Sequence, residues 1–491
     1  MENAGYEILL GQLQNTINSV GYFIPEIILI IGLVILIIAD LIIKESNKIL
    51  IPIIALAILV SSLATVFSQW GMPSILLYEN MLRLDNYAVF FKVLFLLGAI
   101  ITVSTLGFST DNRKSFNDNE GYTFLIGITL GLQIMSMAHN LLMIYISVEL
   151  VSLCSFVLVS FTFDKKAAES NLKYIFFGGL SGAVMLYGMS FIYGISGDLN
   201  LPSLALVPWE SNPMYGVIVI FTIAGLLFKI SAFPFHLWAP DTYETAPSPL
   251  IAFMSVATKA AAFAILIKFI FFVNSFYLLA IPLALIAFCS IGIGNFSALI
   301  QSNPKRMLAY SSIAHAGFIL SAAIVNSKLS LEACLFYLAV YLPMNFAAFL
   351  LVDILSNAGG GKEVENFKGL GFKLPFTGVI FTITMIALTG LPPTAGFYAK
   401  IFTFSSLWEA YQTTGQNIVM YLLVFGVLNS VVSLFYYLKI PYYMYFKSSQ
   451  NELILKPSRS SQIVVAIIAL PLLVIFFKPE IITQYITLIK F

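Results

Sequence analysis

The sequence predicts an all-α, polytopic membrane protein of about 14 transmembrane helices, arranged as two inverted five-helix repeats with discontinuous helices 7 and 12. Three observations lead there. Of 491 residues, 59% are apolar and 10% charged, against the roughly 25% charged of a soluble domain. The apolar residues fall in runs close to the roughly 20 residues that a helix needs to cross about 30 Å of hydrocarbon. Two of those runs also carry prolines, glycines and lysines at their centres, a pattern lipid-facing helices avoid.

Cutting the chain at its charged and Gly/Pro/Asn-rich breaks places spans at 22–43, 50–70, 86–108, 122–138, 141–162, 171–195, 216–240, 248–272, 276–298, 305–325, 331–355, 374–408, 418–446 and 460–477. Connections after odd-numbered spans hold Lys44, Lys48, Arg113, Lys114, Lys165, Lys166, Lys305, Arg306, Lys362, Lys368, Lys373, Lys447, Lys456 and Arg459. The opposite connections and the tail hold Arg83, Lys328, Lys478 and Lys490. Basic loops stay cytoplasmic, so both termini are expected on the periplasmic side of a bacterial inner membrane. The expected division is 1–121 for the first three helices, 122–272 for a first repeat, 273–446 for a second and 447–491 for the last helix.

Several function classes drop out. A net charge of +1, with no basic cluster among aromatics, gives no footprint for nucleic acid. No basic residue precedes Lys44 and no small-residue cleavage site follows a short apolar core, so the first span is expected to remain. Cys154, Cys289 and Cys334 lie singly in apolar runs without CxxC spacing and read as packing residues. The triple glycine Gly359 to Gly361 lacks the spacing and the preceding strand of a dinucleotide loop. No cofactor is expected in this chain.

The seventh span, GVIVIFTIAGLLFKISAFPFHLWAP, contains Pro234, which donates no backbone hydrogen bond and clashes with the preceding turn. The twelfth, LTGLPPTAGFYAKIF, crowds Gly390, Pro392, Pro393 and Gly396 together. Proline and glycine are common in membrane helices, but here each break has a lysine beside it. Freed backbone groups at membrane depth are tolerated where they face protein or a watery cavity, so the pair points to an ion path.

Lys229, Lys259 and Lys400 lie far from their predicted helix ends, and Glu149 sits about eight residues into the fifth span. An ionisable group near the midplane costs at least about 2.5 to 3.5 kcal/mol on insertion scales. Glu149 and Lys229 are expected partners, because pairing raises a lysine's proton affinity while burial lowers it. A small movement of one would then switch the other between holding and releasing a proton. Lys173 lies near a helix end, where snorkelling competes with function. Lys92, Lys268 and Lys439 are expected to snorkel, and Glu26, Asp40, Glu332 and Asp353 to meet water. His236 at the first break and His315 in SSIAHAGFIL are relay candidates; His139 reads as a turn residue.

Helices 4 to 8 and 9 to 13 each have the broken helix in fourth place. Five is odd, so the second group enters from the opposite side, the plan of inverted-repeat transporters. Lys229 precedes its proline and Lys400 follows its pair, which puts both on the outer side of their breaks.

The run from Lys229 through FPFHLWAPDTYETAPSP to Lys259 in SVATKAAAF, with Glu149, SNPKRMLAYSSIAHAGF and GLPPTAGFYAK, resembles the antiporter-like membrane subunits of respiratory complex I, over nearly the whole chain. Lysine rather than glutamate at position 400, the absence of a long lateral helix before Phe491, and Lys173 match the subunit N branch. The resemblance implies a proton-translocating module with Glu149 and Lys229 as coupling pair, Lys259 as central relay, Lys400 leading outward, and His236, His315 and Lys173 assisting. It implies that NADH, FMN, Fe-S clusters and quinone are bound by partner subunits, with subunits of the K and M type as neighbours. A cation/proton antiporter subunit of the multi-subunit type shares these motifs and stands as the alternative. A solute carrier fits less well, because lysines and one glutamate do not make a compact solute pocket.

Overall fold

The computed structural model describes residues 2–43, 49–108, 119–161, 165–211, 214–448 and 457–489. Lys44, Lys48, Arg113, Lys114, Lys456, Lys490 and the terminal Phe491, all used above, lie outside the described residues. The chain opens with α1 (Glu2–Val20), then α2 (Ile24–Ile42), α3 (Leu50–Ser68), the strands β1 (Ile75–Leu77) and β2 (Leu82–Leu84), α4 (Asn86–Phe108), α5 (Glu120–Met137), α6 (Leu141–Ser160) and α7 (Lys165–Ser196). The seventh span is α8 (Met214–Lys229) with α9 (Trp238–Thr245), and the eighth is α10 (Ser248–Phe253), a π turn (Met254–Thr258) and α11 (Lys259–Val273). There follow α12 (Phe276–Leu299), α13 (Pro304–Ala323), α14 (Lys328–Gly359), α15 (Leu370–Lys373), α16 (Pro375–Thr389), α17 (Ala395–Thr414), α18 (Asn417–Phe446), α19 (Arg459–Phe477) and α20 (Glu480–Ile486).

Among the described residues ten helical segments are long and apolar enough to cross a membrane, and α8 and α16 are shorter apolar helices. With α5 and α13, which carry more polar residues, and with the broken segments α8–α9 and α16–α17 counted once each, the fourteen expected spans are all helical. Local chemistry sets the boundaries. Asn140 caps α6, its side chain accepting from Leu142 N at 2.9 Å. Asn303 caps α13 ahead of Pro304, and Ser327 and Ser330 form a reciprocal capping box on α14. Asn274 ends α11 in the left-handed conformation.

Several elements fall outside the expected spans, α15 and α20 among them. Helix α1 precedes the first span, and β1 pairs antiparallel with β2 in the connection before α4, Ile75 opposite Leu84. Helix α7 also begins six residues before the expected 171.

The burial gradient shows where the interior lies. The most apolar windows of the eighth span and of α14 are 100% and 94% buried, whereas those of α2, α18 and α19 are 28% buried. The protein centre is therefore built from α11 and α14, with α13 packed against both, while the outer helices present leucine, isoleucine and valine outward, as Ile30, Ile31, Val34, Ile463 and Ile467 do. A charged side chain midway along these central helices, as Lys259 and Lys268 are, is enclosed by protein.

Several charged groups expected to meet water do not. Lys92 and Glu26 are completely buried and form an ion pair at 2.7 Å between α4 and α2, with Gln69 accepting a further hydrogen bond from Lys92. Lys268 is buried in α11 and donates to Ser136 O at 2.5 Å, with the Tyr87 ring 5.3 Å away. Snorkelling fails because these helices are surrounded by protein, so a stem extended along the helix reaches another helix. Lys439 is half-buried and donates to Gln301 O at 2.9 Å. His139 is buried in the tight turn between α5 and α6, its ring against Phe272.

Candidate functional site

Helix α8 stops at Lys229, one residue before the chain leaves helical geometry, and Ser231 sits at φ 57°. Pro234 removes a donor, and neighbouring helices take over some freed groups: Phe233 N donates to Ser290 Oγ of α12 at 2.9 Å, and the Trp238 indole donates to Phe228 O at 3.3 Å. The Lys229 ammonium, 1% exposed, has no hydrogen-bond partner among the described residues. It lies 5.8 Å from the ring centroids of Phe156, Tyr174 and Phe228, and cation–π attraction to ring faces replaces part of its lost hydration. Tyr174 in turn stacks on both Phe228 and Trp238, which also touch each other, so the break itself fixes that ring.

Glu149 is half-buried on α6 and acts electrostatically on Lys229 without bonding it. The carboxylate rests where α7 has no side chain: a Cβ on Gly182 would stand 2.5 Å from Glu149 Oε1. The expected partners are thus neighbours with a gap between them. Around the same break, Thr242 Oγ1 and Ser248 Oγ are also buried without hydrogen-bond partners among the described residues. Buried polar atoms of this kind are normally satisfied by water. His236 occupies the break and is almost fully buried.

Lys259 follows the π turn of the eighth span. A π turn inserts a residue into the helical ladder and is frequent at functional sites. The Lys259 ammonium donates to Ser312 O at 2.9 Å and Ser312 Oγ at 3.0 Å, crossing from the first five-helix group to α13 of the second. One turn along α13, His315 Nδ1 is 2.7 Å from Tyr337 OH of α14 and its Nε2 is 2.9 Å from Tyr437 OH of α18. Tyr437 OH also bonds Ser311 Oγ.

At the second break α16 ends at Thr389, Gly390 adopts φ 82°, and α17 restarts at Ala395 after the proline pair. A left-handed glycine closes the helix at no steric cost. The Lys400 ammonium donates to Thr389 O at 2.6 Å and lies 5.1 Å from the Phe318 ring. Its stem packs on Gly390, where a Cβ would come within 2.6 Å of Lys400 Cδ. The C-terminal end of a helix carries partial negative charge, which favours an ammonium there.

Lys173 stands apart. It is half-exposed and pairs with Glu169 and Asp241, each at 2.9 Å. Arg306 Nη1 bridges Asp241 at 2.7 Å and Glu244 at 3.0 Å, and Glu244 also meets Lys166 at 2.5 Å. Glu169, Lys173, Asp241, Arg306, Glu244 and Lys166 therefore alternate in sign and staple α9 to α7 and α13.

Of the residues singled out in the sequence, Lys229, Lys259, His315 and Lys400 are buried at the centre, His236 lies at the first break, Glu149 flanks Lys229, and Lys173 lies in the ionic staple. Sequence reading missed Ser311, Ser312, Tyr337 and Tyr437, as well as the staple. A run of Ser311, Ser312 and His315 within one apolar span was the available signal. Among the described residues no group of three His, Cys, Asp or Glu is disposed to hold a metal ion.

Residues 138–428, more than half the chain and all the features above except α18 beyond Leu428, match the NADH:quinone oxidoreductase/Mrp antiporter transmembrane family. The chain is 39% identical over 449 residues to NADH-quinone oxidoreductase subunit N of Chlorobium chlorochromatii, covering 87% of this chain and 86% of that one. Its fold matches a chain of respiratory complex I from Thermus thermophilus with TM-score 0.79 and 29% identity, covering 94% and 98% of the two chains. A chain of the Mrp complex from Dietzia sp. gives TM-score 0.79 at 16% identity over 94% and 96%, a likeness of fold alone. The chain belongs to the NADH:quinone oxidoreductase/Mrp antiporter family of membrane proteins, as the resemblance implied.

Proposed function

We propose that this chain is a proton-translocating membrane-arm subunit of an NADH:quinone oxidoreductase. The observation that carries the reading is the placement of three buried ammonium groups, Lys229, Lys259 and Lys400, each at a helix discontinuity in the interior of a membrane protein. Such groups are costly in a membrane and mark ion or proton paths. Glu149 and Lys229 act as the coupling pair: the gap between them lets a change of separation alter how firmly Lys229 holds its proton. Lys259 is the central relay, because its ammonium joins the two helix groups. Lys400 is the station leading outward, with His236 and His315 passing protons between stations. Lys173 assists at the opposite end, through its hold on α9.

NADH, FMN, Fe-S clusters and quinone belong to partner subunits in this reading, and the chain contributes no redox chemistry. Neighbouring membrane-arm subunits of the K and M type flank it in a bacterial inner membrane, with both termini periplasmic. The domain division follows the repeats: 1–121, 122–272, 273–446 and 447–491. The relatives at higher identity support the oxidoreductase over the multi-subunit antiporter. The test uses the assembled complex in native membrane vesicles. Glu149→Ala and Lys229→Ala should each lower coupled electron transfer and proton uptake while the complex still assembles, and unchanged proton uptake in both would defeat the assignment.

A further inference from the structure

Phe156 carries no proton, yet it stands against the one ammonium that the first break leaves without a hydrogen bond. It lies seven residues after Glu149 on α6, two helical turns on, so ring and carboxylate project from one face of the same helix. Both meet α7 where that helix lacks a side chain. A Cβ on Gly182 would stand 2.5 Å from Glu149 Oε1, and a Cβ one turn back, on Gly178, would collide with Phe156 Cζ. Phe156 is buried, and its ring centroid is 5.8 Å from the Lys229 ammonium, as are those of Tyr174 and Phe228. Glu149 acts on the same ammonium by its charge.

The same stretch of α6 grips a second ring of the site. Ser155 Oγ and Tyr174 OH share a hydrogen bond at 2.9 Å, and Phe156 meets Tyr174 edge to face, centroids 4.7 Å apart at 86°. Tyr174 stacks in turn on Phe228 and Trp238, one on each side of the break. Helix α6 is thus joined to the break through one ring. We propose that Phe156 is the positioning residue of the Lys229 site: with α6 seated against Gly178 and Gly182 its ring face holds the ammonium, and a shift of α6 withdraws ring and carboxylate together. The proposal rests on the proton-translocating reading and names what sets its switch.

A buried ammonium without hydrogen bonds depends on ring faces and nearby charge. Ring-face attraction acts within about 6 Å of the centroid, and Phe156 stands at 5.8 Å, so a small retreat forfeits it. The pull of the carboxylate fades more gradually with distance. Because one helix carries both, a single displacement removes the two together. Packing alone asks only for apolar volume at position 156 and gives no reason for three ring centroids equally far from one nitrogen. The contact with Gly178 also explains phenylalanine rather than tyrosine, since a hydroxyl on Cζ would be driven into α7.

The experiment replaces Phe156 by 3-fluoro- and 3,5-difluorophenylalanine, through amber suppression, in the complex assembled in native membrane vesicles. Fluorine draws electron density from the ring face with little change of volume, and these positions leave Cζ bare toward Gly178. Proton uptake should fall in the order of phenylalanine, one fluorine and two fluorines, by about two- to five-fold across the series, the range of a single cation–π contact. Phe156→Leu keeps apolar volume without a ring face and should fall further, by up to about 30-fold. Gly178→Ala should lower uptake by displacing the ring, and should add little in the Phe156→Leu background. A flat fluorine series, or one out of that order, overturns the proposal, because a ring that only fills space does not register the charge on its face. Full additivity of Gly178→Ala and Phe156→Leu overturns it as well. If the leucine variant fails to assemble, the fluorinated rings decide alone. If Lys229→Ala loses uptake while the fluorinated complexes keep the parental rate, Phe156 is packing and the proton-translocating reading stands. If Lys229→Ala keeps that rate too, both fail.

Discussion

The two broken helices use the same parts in opposite ways. At the first break the lysine ends the helix that precedes the gap; at the second it lies in the second turn of the helix that follows. Among the described residues Lys229 has no hydrogen-bond partner and stands among three aromatic rings with a carboxylate nearby, whereas Lys400 is tied at 2.6 Å to the last carbonyl of α16. A group held by ring faces and a distant charge has competing states of similar energy. A group bonded to a helix C-terminus has one favoured state. In the proposed reading the first break is a switch and the second a fixed station, and each can be disturbed separately.

The largest effect is expected at the switch. Lys229→Ala removes the ammonium and should reduce proton uptake by about 10²-fold or more, within the range for a lost proton carrier. Uptake within about two-fold of the parent, far short of that range, would break the contrast. At the station, charge matters more than exact chemistry. Lys400→Glu reverses the sign beside the Thr389 carbonyl and should impair uptake strongly, while Lys400→Arg keeps a donor for that carbonyl and should preserve assembly. Full activity of Lys400→Glu would show that the sign of the charge is irrelevant there.

A finer test separates Glu149 from Lys229 without changing either. Gly182→Ala places a methyl 2.5 Å from the present position of Glu149 Oε1, so the carboxylate must shift. Coupled turnover should change by a few-fold, roughly the effect of one altered charge contact of about 1 kcal/mol, with assembly retained. No change would mean that the carboxylate's position does not set the coupling. The smallest effects belong to the staple on α9. Half-exposed ion pairs are each worth about 0 to 1 kcal/mol, and Lys173 shares Asp241 with Arg306. Lys173→Ala and Arg306→Gln should each lower uptake modestly and the double variant more than additively. Strictly additive losses would show that Lys173 and Arg306 hold α9 independently rather than as parts of one unit.

Much of this was legible in the sequence because lipid constrains composition so strongly. Runs of apolar residues defined the spans, prolines located both breaks, and lysines inside apolar runs located three of the buried ammonium groups. What was lost depended on rotation and partners. Lys92 and Lys268 read as snorkelling residues because distance from a helix end says nothing of which neighbours surround it, and both proved enclosed. The π turn before Lys259 leaves no residue pattern, since it is a change in hydrogen-bond ladder. Tyr337 and Tyr437 look like ordinary packing aromatics until α14 and α18 bring their hydroxyls to one histidine. The staple joins positions 166 to 306, a separation no local motif reveals.

The account rests on lysines that take up and release protons, and Lys259 tests this most directly because it touches neither break's partner. Arginine at that position keeps a positive charge and donors for Ser312 but stays protonated in proteins. Proton uptake by the assembled Lys259→Arg complex should be nearly abolished, with the complex intact. Uptake at the parental rate would contradict the account, because a permanent cation would then do all that Lys259 does.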